Sequence, residues 1–266
     1  MSFKLPTKED KHDYVHEQFE RIAKGYDLSN DVISVGMHRA WKLRAIHELM
    51  TGQKKTSGED ANEGRRASEG HNKEKYLDIC CGTGDLALAM AKQAAAGTQI
   101  TGLDFSQNML DLAAERQRRL ARRKDKIKTV QMEWICGDAQ HLPFEDNTFD
   151  GAIISFGLRN LTDLQKGLDE MTRVVKPGGR VVNLDLGHST VPLFAPIFDA
   201  YFSNVVPVIG GILQNDRQAY KYLPESGRTY PRPEAISEMF KKAGLINVRH
   251  IAQALGTVAL HVGTKR

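Results

Sequence analysis

The chain has 266 residues, 41% of them hydrophobic and 26% charged, with a formal net charge of +4. That length suits one large domain or a domain with an appended cap. The composition is that of a soluble globular protein, and so mild a charge gives no reason in itself to expect a nucleic-acid partner. Three cysteines, Cys80, Cys81 and Cys136, form neither a paired framework nor a metal-ligand spacing, so a reducing compartment and no metal are expected. The first ten residues have no apolar core and soon carry acids. They read as neither a secretory signal nor a transit peptide, and a cytoplasmic location is expected.

In chain order, residues 12–50 predict two helices with a break near Gly36. Tyr14, Val15, Phe19, Ile22 and Tyr26 recur at helical spacing, and Trp41, Leu43, Ile46, Leu49 and Met50 suit a second helix. Residues 1–50 are read as an N-terminal helical cap. Residues 51–73 contain no Leu, Ile, Val, Phe or Met and are expected to be a disordered polar loop. From 74 to 266 the chain reads as one domain. Strands fit 75–80, 99–104, 131–136, 149–155 and 179–186, alternating with helices at 85–96, 106–124 and 162–176. An apolar, proline-interrupted insertion at 190–223 precedes a helix at 233–243 and strands at 246–254 and 257–264. The expectation is an α/β fold: a doubly wound, mostly parallel seven-stranded sheet.

The stretch Asp78-Ile-Cys-Cys-Gly-Thr-Gly-Asp-Leu86 is a strand, a glycine turn and a helix start, the usual place for a nucleotide-like ligand. Gly82 and Gly84 permit a tight turn. Asp85 falls in the first helical turn, where a carboxylate repels a pyrophosphate. A phosphate-free, cationic adenosyl ligand, S-adenosylmethionine, suits the site better than a dinucleotide. Asp104 ends the second strand, where a carboxylate meets ribose hydroxyls. Asp138 can accept from an adenine amino group, and Ala139 leaves room for the ring. Ser155 closes the fourth strand beside the crevice, and Lys176-Pro-Gly-Gly179 is the turn into the fifth.

Four longer stretches narrow the reading: Val15 through Asp27, Ser155-Phe-Gly-Leu-Arg-Asn-Leu-Thr-Asp163, Asn215 through Ser226, and Ala259 through Lys265. On these, the chain resembles the ubiquinone/menaquinone biosynthesis C-methyltransferases, a family of class I S-adenosylmethionine-dependent enzymes. The resemblance implies cofactor contacts at Thr83, Asp104, Asp138, Ala139 and Ser155, with Gly82 and Gly84 shaping the turn. It implies a polyprenyl benzoquinol or naphthoquinol as substrate, methylated on a ring carbon that a neighbouring phenolate activates. Arg159 and Asn160 are the candidate catalytic residues, with Tyr26 covering the sulfonium or touching substrate. Asp216, Tyr220 and Tyr222 are further substrate candidates. Because arginine stays protonated, Arg159 is read as a phenolate stabiliser, set against a plain salt bridge with Asp163. The fifth strand ends Asn183-Leu-Asp-Leu-Gly-His188, where the family often has Glu followed by an aromatic residue.

His38, His141 and His261 read as structural. Residues 191–213 are read as a helical lid along the isoprenoid path, against a buried packing helix, and not as a membrane span, since three prolines, Asp199 and Asn204 interrupt them. Peripheral membrane contact follows from a lipid-soluble substrate, on the matrix face of the inner membrane if the chain is a processed mitochondrial protein. The basic residues from Arg116 to Lys128 are a solvated face or a contact for anionic lipid. A homodimer or a complex with other quinone-synthesis enzymes is compatible with this reading. The alternatives are a methyltransferase acting on a sterol or phenol, a non-catalytic S-adenosylmethionine-binding subunit of a quinone-synthesis complex, and, more remotely, a nucleic-acid methyltransferase or a nicotinamide dehydrogenase.

Overall fold

The computed structural model describes residues 5–7, 9–51, 73–122, 126–189, 191–214 and 219–266. The polar stretch expected to be disordered thus lies almost wholly outside the described residues. Five strands run parallel: β1 (Lys75–Ile79), β2 (Gln99–Asp104), β3 (Gln131–Cys136), β4 (Phe149–Ser155) and β5 (Val175–Leu186). The two last strands, β6 (Leu245–Gln253) and β7 (Val258–Lys265), pair antiparallel to each other, and β7 pairs antiparallel to β5. The order across the seven-stranded sheet is β3-β2-β1-β4-β5-β7-β6. Helices cover both faces, so the central strands carry unbroken apolar runs such as Ala152, Ile153 and Ile154, all fully buried. The chain leaves β1 towards one edge of the sheet and β4 towards the other. Their carboxyl ends therefore frame a crevice, where open α/β sheets bind ligands.

Between the strands lie α4 (Asp85–Gln93), α5 (Gln107–Arg122) and α6 (Leu164–Val174). The Lys176-Pro-Gly-Gly179 segment is not a turn ahead of the fifth strand but a bulge within it. Phe149 faces Val175 and Gly151 faces Arg180, so four residues bulge out opposite Asp150. Lys176 Nζ anchors the bulge on Asp150, 2.8 Å away.

The N-terminal region holds three helices, not two: α1 (Lys11–Ile22), α2 (Tyr26–Ile33) and α3 (Met37–Met50). The predicted break at Gly36 is present, with φ +72°. A second comes from a 3-10 turn at Ala23–Gly25. α3 packs on the sheet, burying Ala45, Ile46 and Leu49 against Tyr76, Ile153 and Val182. α1 and α2 instead build a small separate cluster with the insertion, centred on Ile22, Val206 and Tyr220. The insertion is helical: α7 (Phe194–Ala200), a π-helical turn Tyr201–Val205, α8 (Val206–Gln214) and α9 (Ala219–Thr229). α10 (Pro233–Lys242) then leads into β6.

Candidate active site

The turn after β1 rests on two close approaches. Gly84 has φ +74°, and a Cβ there would lie 2.6 Å from the Trp134 ring. Gly157, after β4, has no room for a Cβ either, because Cys80 Cβ would be 2.6 Å away. The loops after β1 and β4 therefore touch backbone to side chain, and Cys80 and Cys81 serve as small packing residues beside the ligand loop. Asp78 accepts from the Ala87 amide at 3.0 Å and ties the end of β1 to the first turn of α4.

A cavity of about 180 Å³ opens at this edge of the sheet. Since roughly 10–15 Å³ suffices for one water, it can hold a much larger ligand. Gly82, Thr83, Asp104, Asp138, Ala139 and Ser155 all line it, whereas Gly84 supports the turn from behind. Asp104 accepts from the amides of Gly82 (2.8 Å) and Ser106 (3.0 Å). Burial pushes its carboxyl up to about 6 despite those bonds. Asp138 accepts from the Gln140 amide at 2.8 Å and meets His141 Nδ1 at 3.1 Å. Burial works against it, but these partners hold its carboxyl below the usual range. The Ser155 hydroxyl is buried and has no partner among the described residues. An orphaned hydroxyl in a cavity shared with the buried Asp104 and the half-buried Asp138 fits a ligand that brings its own hydroxyls and amino groups.

Asp85 requires a correction. Its carboxylate does not stand bare at the start of α4: Lys42 Nζ lies 2.8 Å from one oxygen and Arg116 Nη2 3.3 Å from the other. Burial opposes ionisation there, yet Lys42 and Arg116 hold the carboxyl down at about 2. Two cations offset its charge, so Asp85 alone does not exclude a phosphate. Arg116 also donates to Asp27 (2.7 Å) and to the Thr83 hydroxyl (2.8 Å), while that hydroxyl donates to Asp27 at 2.7 Å. Glu20 accepts from Ser106 Oγ at 2.5 Å and from Asn108. These contacts latch α1 and α2 onto the cofactor loop and α5. Arg116, read from sequence as one of a row of surface cations, is part of that latch. Asp27, Lys42 and Arg116 were not legible as site residues, because they meet only in the folded chain.

On the opposite side of the cavity, Arg159 is buried and pairs with Asp185, not with Asp163. Its Nη1 lies 2.6 Å from Asp185 Oδ1 and 2.5 Å from the Phe156 carbonyl oxygen. Asp163 instead caps α6, accepting from the Lys166 amide. Arg159 Nε has no partner among the described residues. Burial disfavours the guanidinium charge, but the Asp185 carboxylate more than restores it and raises its pKa. Asn160 also lines the cavity, and its Oδ1 accepts from Tyr222 at 3.3 Å. Tyr26 lines the same space from α2. Tyr222 reaches the site through its bond to Asn160, with Arg159 also in its field, and burial pushes its phenol up to about 12, so it stays a neutral donor. Tyr220 lies elsewhere: it is buried under α8, where Gly210 makes room for its ring. That position makes it a packing residue of the cap rather than a wall of the cavity. Asp216 lies outside the described residues.

His261 Nε2 donates to the Pro233 carbonyl oxygen at 2.9 Å, and burial lowers its pKa to about 4. His38 bonds Ser34 Oγ at 2.7 Å, and His141 bridges Asp138 and Lys166 on the surface. Among the described residues no cluster of His, Cys, Asp or Glu could hold a metal ion.

With this geometry in place, the chain can be set beside known proteins. The demethylmenaquinone methyltransferases of Staphylococcus aureus strains JH9 and Newman are each 37% identical to it over 254 residues, covering 94% of this chain and 92% of theirs. In fold it is similar to a Thermotoga maritima S-adenosylmethionine-dependent methyltransferase described as a possible histamine N-methyltransferase. That structure is 17% identical with a TM-score of 0.56, covering 94% of this chain and 99% of that one. It is also similar to Haemonchus contortus phosphoethanolamine N-methyltransferase 2, solved with S-adenosylmethionine (18% identity, TM-score 0.52, 85% of this chain and 52% of that one). The model of the ubiE/COQ5 methyltransferase family matches residues 7–265. The chain therefore belongs to the ubiE/COQ5 methyltransferase family and is an S-adenosylmethionine-dependent methyltransferase.

Proposed function

We propose that the protein methylates a ring carbon of a polyprenylated quinol in menaquinone or ubiquinone biosynthesis. The observation that carries this reading is the buried Arg159 guanidinium on the cavity wall, held by Asp185 and with Nε unpartnered among the described residues. S-adenosylmethionine supplies an electrophilic methyl group on sulfur. A phenol ring carbon becomes nucleophilic enough to take it when the adjacent hydroxyl ionises. A fixed guanidinium in a water-poor site stabilises that phenolate without reorganising. Arg159 cannot itself take the proton, so in this reading the phenol proton goes to a water; the ring carbon that gains the methyl group then loses its own hydrogen as a proton, which restores the hydroxyl as the ring re-aromatises. Asn160, oriented by Tyr222, is placed to fix a hydroxyl of the ring, and Tyr26 covers the site from α2.

The tail has a matching path. Phe198 and Phe202 line the cavity and continue a stacked series with Phe194, at ring spacings of 6.0 and 5.2 Å. The helical run Phe194–Leu213 is long and apolar, and little of it is buried, unlike a core packing helix. Ile197 and Ile212 are largely exposed on it, Leu193 is exposed just ahead of it, and Val35 is exposed at the α2–α3 turn. This surface supports peripheral contact with a membrane that delivers the quinol. The test is to incubate the protein with methyl-labelled S-adenosylmethionine and demethylated benzoquinol and naphthoquinol carrying prenyl tails, then locate the label by mass spectrometry and NMR. Label on a ring carbon is expected. Label on oxygen, or on a sterol or simple phenol alone, would replace the quinol reading. Binding without transfer to any quinol would make the chain a non-catalytic subunit.

A further inference from the structure

The cofactor side of the cavity is rich in acids and poor in cations. Among the described residues, Asp27, Asp78, Asp85, Asp104 and Asp138 line the cavity, against one lysine, Lys42, one arginine, Arg159, and the imidazoles of His12 and His38. Arg159 sits on the reacting side with Asp185. Arg116, close by, is committed to Asp27, Thr83 and Asp85. His38 lines the wall too, but burial lowers its pKa and its ring is engaged by Ser34. Five acids suit the sulfonium and ammonium of S-adenosylmethionine. They leave its α-carboxylate to find a counter-charge.

We propose that Lys42, presented by α3, binds the α-carboxylate of S-adenosylmethionine, and that its bond to Asp85 holds the ammonium group at the cavity wall for that purpose. Its side chain is 14% exposed and borders the same space as Gly82, Thr83 and Asp85. An ammonium carries three donors, and among the described residues Lys42 hydrogen-bonds Asp85, which Arg116 holds independently. The Asp78 carboxyl also lies in its field, without a hydrogen bond to it, so the largely buried ammonium keeps donors to give a ligand. α3 is fixed by Ala45, Ile46 and Leu49 in the core, one turn further on, so the stem of Lys42 starts from a rigid element. The inference rests on the cofactor, which family membership supplies, and not on the quinol.

The test compares two ligands by calorimetry: S-adenosylmethionine and its decarboxylated form, which keeps the sulfonium and the amine. The wild-type protein is expected to prefer the intact cofactor by roughly 10- to 100-fold, the worth of one charge-assisted bond. Lys42→Met is expected to erase that preference, binding the decarboxylated form as well or better, because the acids around it favour the more cationic ligand. Lys42→Arg retains much of the preference. Equal weakening of both ligands in Lys42→Met, with the ratio intact, would show that Lys42 only pins α3 to α4 and would overturn the proposal, as would a wild-type protein that does not discriminate. If Lys42→Met melts before binding can be measured, Lys42→Gln carries the same comparison.

Discussion

The Arg159 guanidinium and the Asp185 carboxylate form a buried ion pair, 2.6 Å apart, that joins the segment after β4 to the end of β5. Asp185 also accepts from the backbone amides of Arg159 (3.2 Å) and Leu186 (2.8 Å), so both of its oxygens are used. The carboxylate thus aims the guanidinium as well as balancing it.

Replacing Arg159 by alanine is expected to lower kcat about 100-fold or more while S-adenosylmethionine affinity stays within about threefold, since a preorganised donor at a developing anion is worth about that much. Calorimetry and initial rates on a short-tail quinol check both halves. Full turnover in this variant removes Arg159 from the mechanism. Asp185→Asn strands a buried cation and is expected to destabilise the fold by about 3–5 kcal/mol, read as a lowered Tm.

Asp78 is 1% exposed and faces the cavity, and burial raises its carboxyl to about 8. Its folded pKa lies above the unfolded carboxylate value. Its penalty is therefore absent below about pH 4, grows as the pH rises and is complete above about pH 8. Asp104, raised to about 6, adds a penalty in the same direction, complete at lower pH. Asp78→Asn is expected to stabilise the ligand-free protein at pH 8 by on the order of a few kcal/mol and to weaken binding of the cationic cofactor. Thermal melts with and without S-adenosylmethionine, at pH 6 and pH 8, read both effects. A variant less stable than wild type at pH 8 contradicts the burial argument.

Asp27 links α2 to Thr83 and Arg116 through partly exposed contacts, worth about 1 kcal/mol or less in stability. Asp27→Ala is expected to leave Tm within a few degrees, raise the KM for S-adenosylmethionine several-fold and speed hydrogen exchange across residues 26–36. Unchanged exchange there would mean the latch does not hold α2.

The exposed apolar residues of the insertion predict a tail-dependent effect. Ile197→Ser together with Ile212→Ser is expected to raise KM for long-tail quinols and reduce co-sedimentation with lipid vesicles. Short-tail turnover and Tm stay near wild type, because neither side chain is buried. Equal loss on short and long tails would point to damage at the site instead.

Much of this protein is written locally. The strand, glycine turn and helix of 75–93 can be read from the sequence because a βα turn needs glycine where the backbone approaches Trp134 and a ligand, and that need shows in the residues themselves. The same holds for Asp104, Asp138 and Ser155, whose places follow from strand ends. Boundaries were less visible. The Lys176–Gly179 bulge reads as a turn because Pro and Gly signal one, while the pairing of Val175 with Phe149 lies 26 residues away. Tyr220 and Tyr222 look alike in sequence, yet two residues along α9 separate a packing ring under Gly210 from a hydroxyl on Asn160.

The sequence by itself determined the doubly wound sheet, the ligand loop and the acids that ring it, because hydrophobic period, glycine and strand-end carboxylates act over a few residues. Only the tertiary structure decided how charge is balanced in the site. Lys42 with Asp85, Asp27 with Arg116, and Arg159 with Asp185 are 43, 89 and 26 residues apart. Electrostatic partnership depends on distance in space, which the chain acquires only when the helical cap and the two halves of the sheet come together.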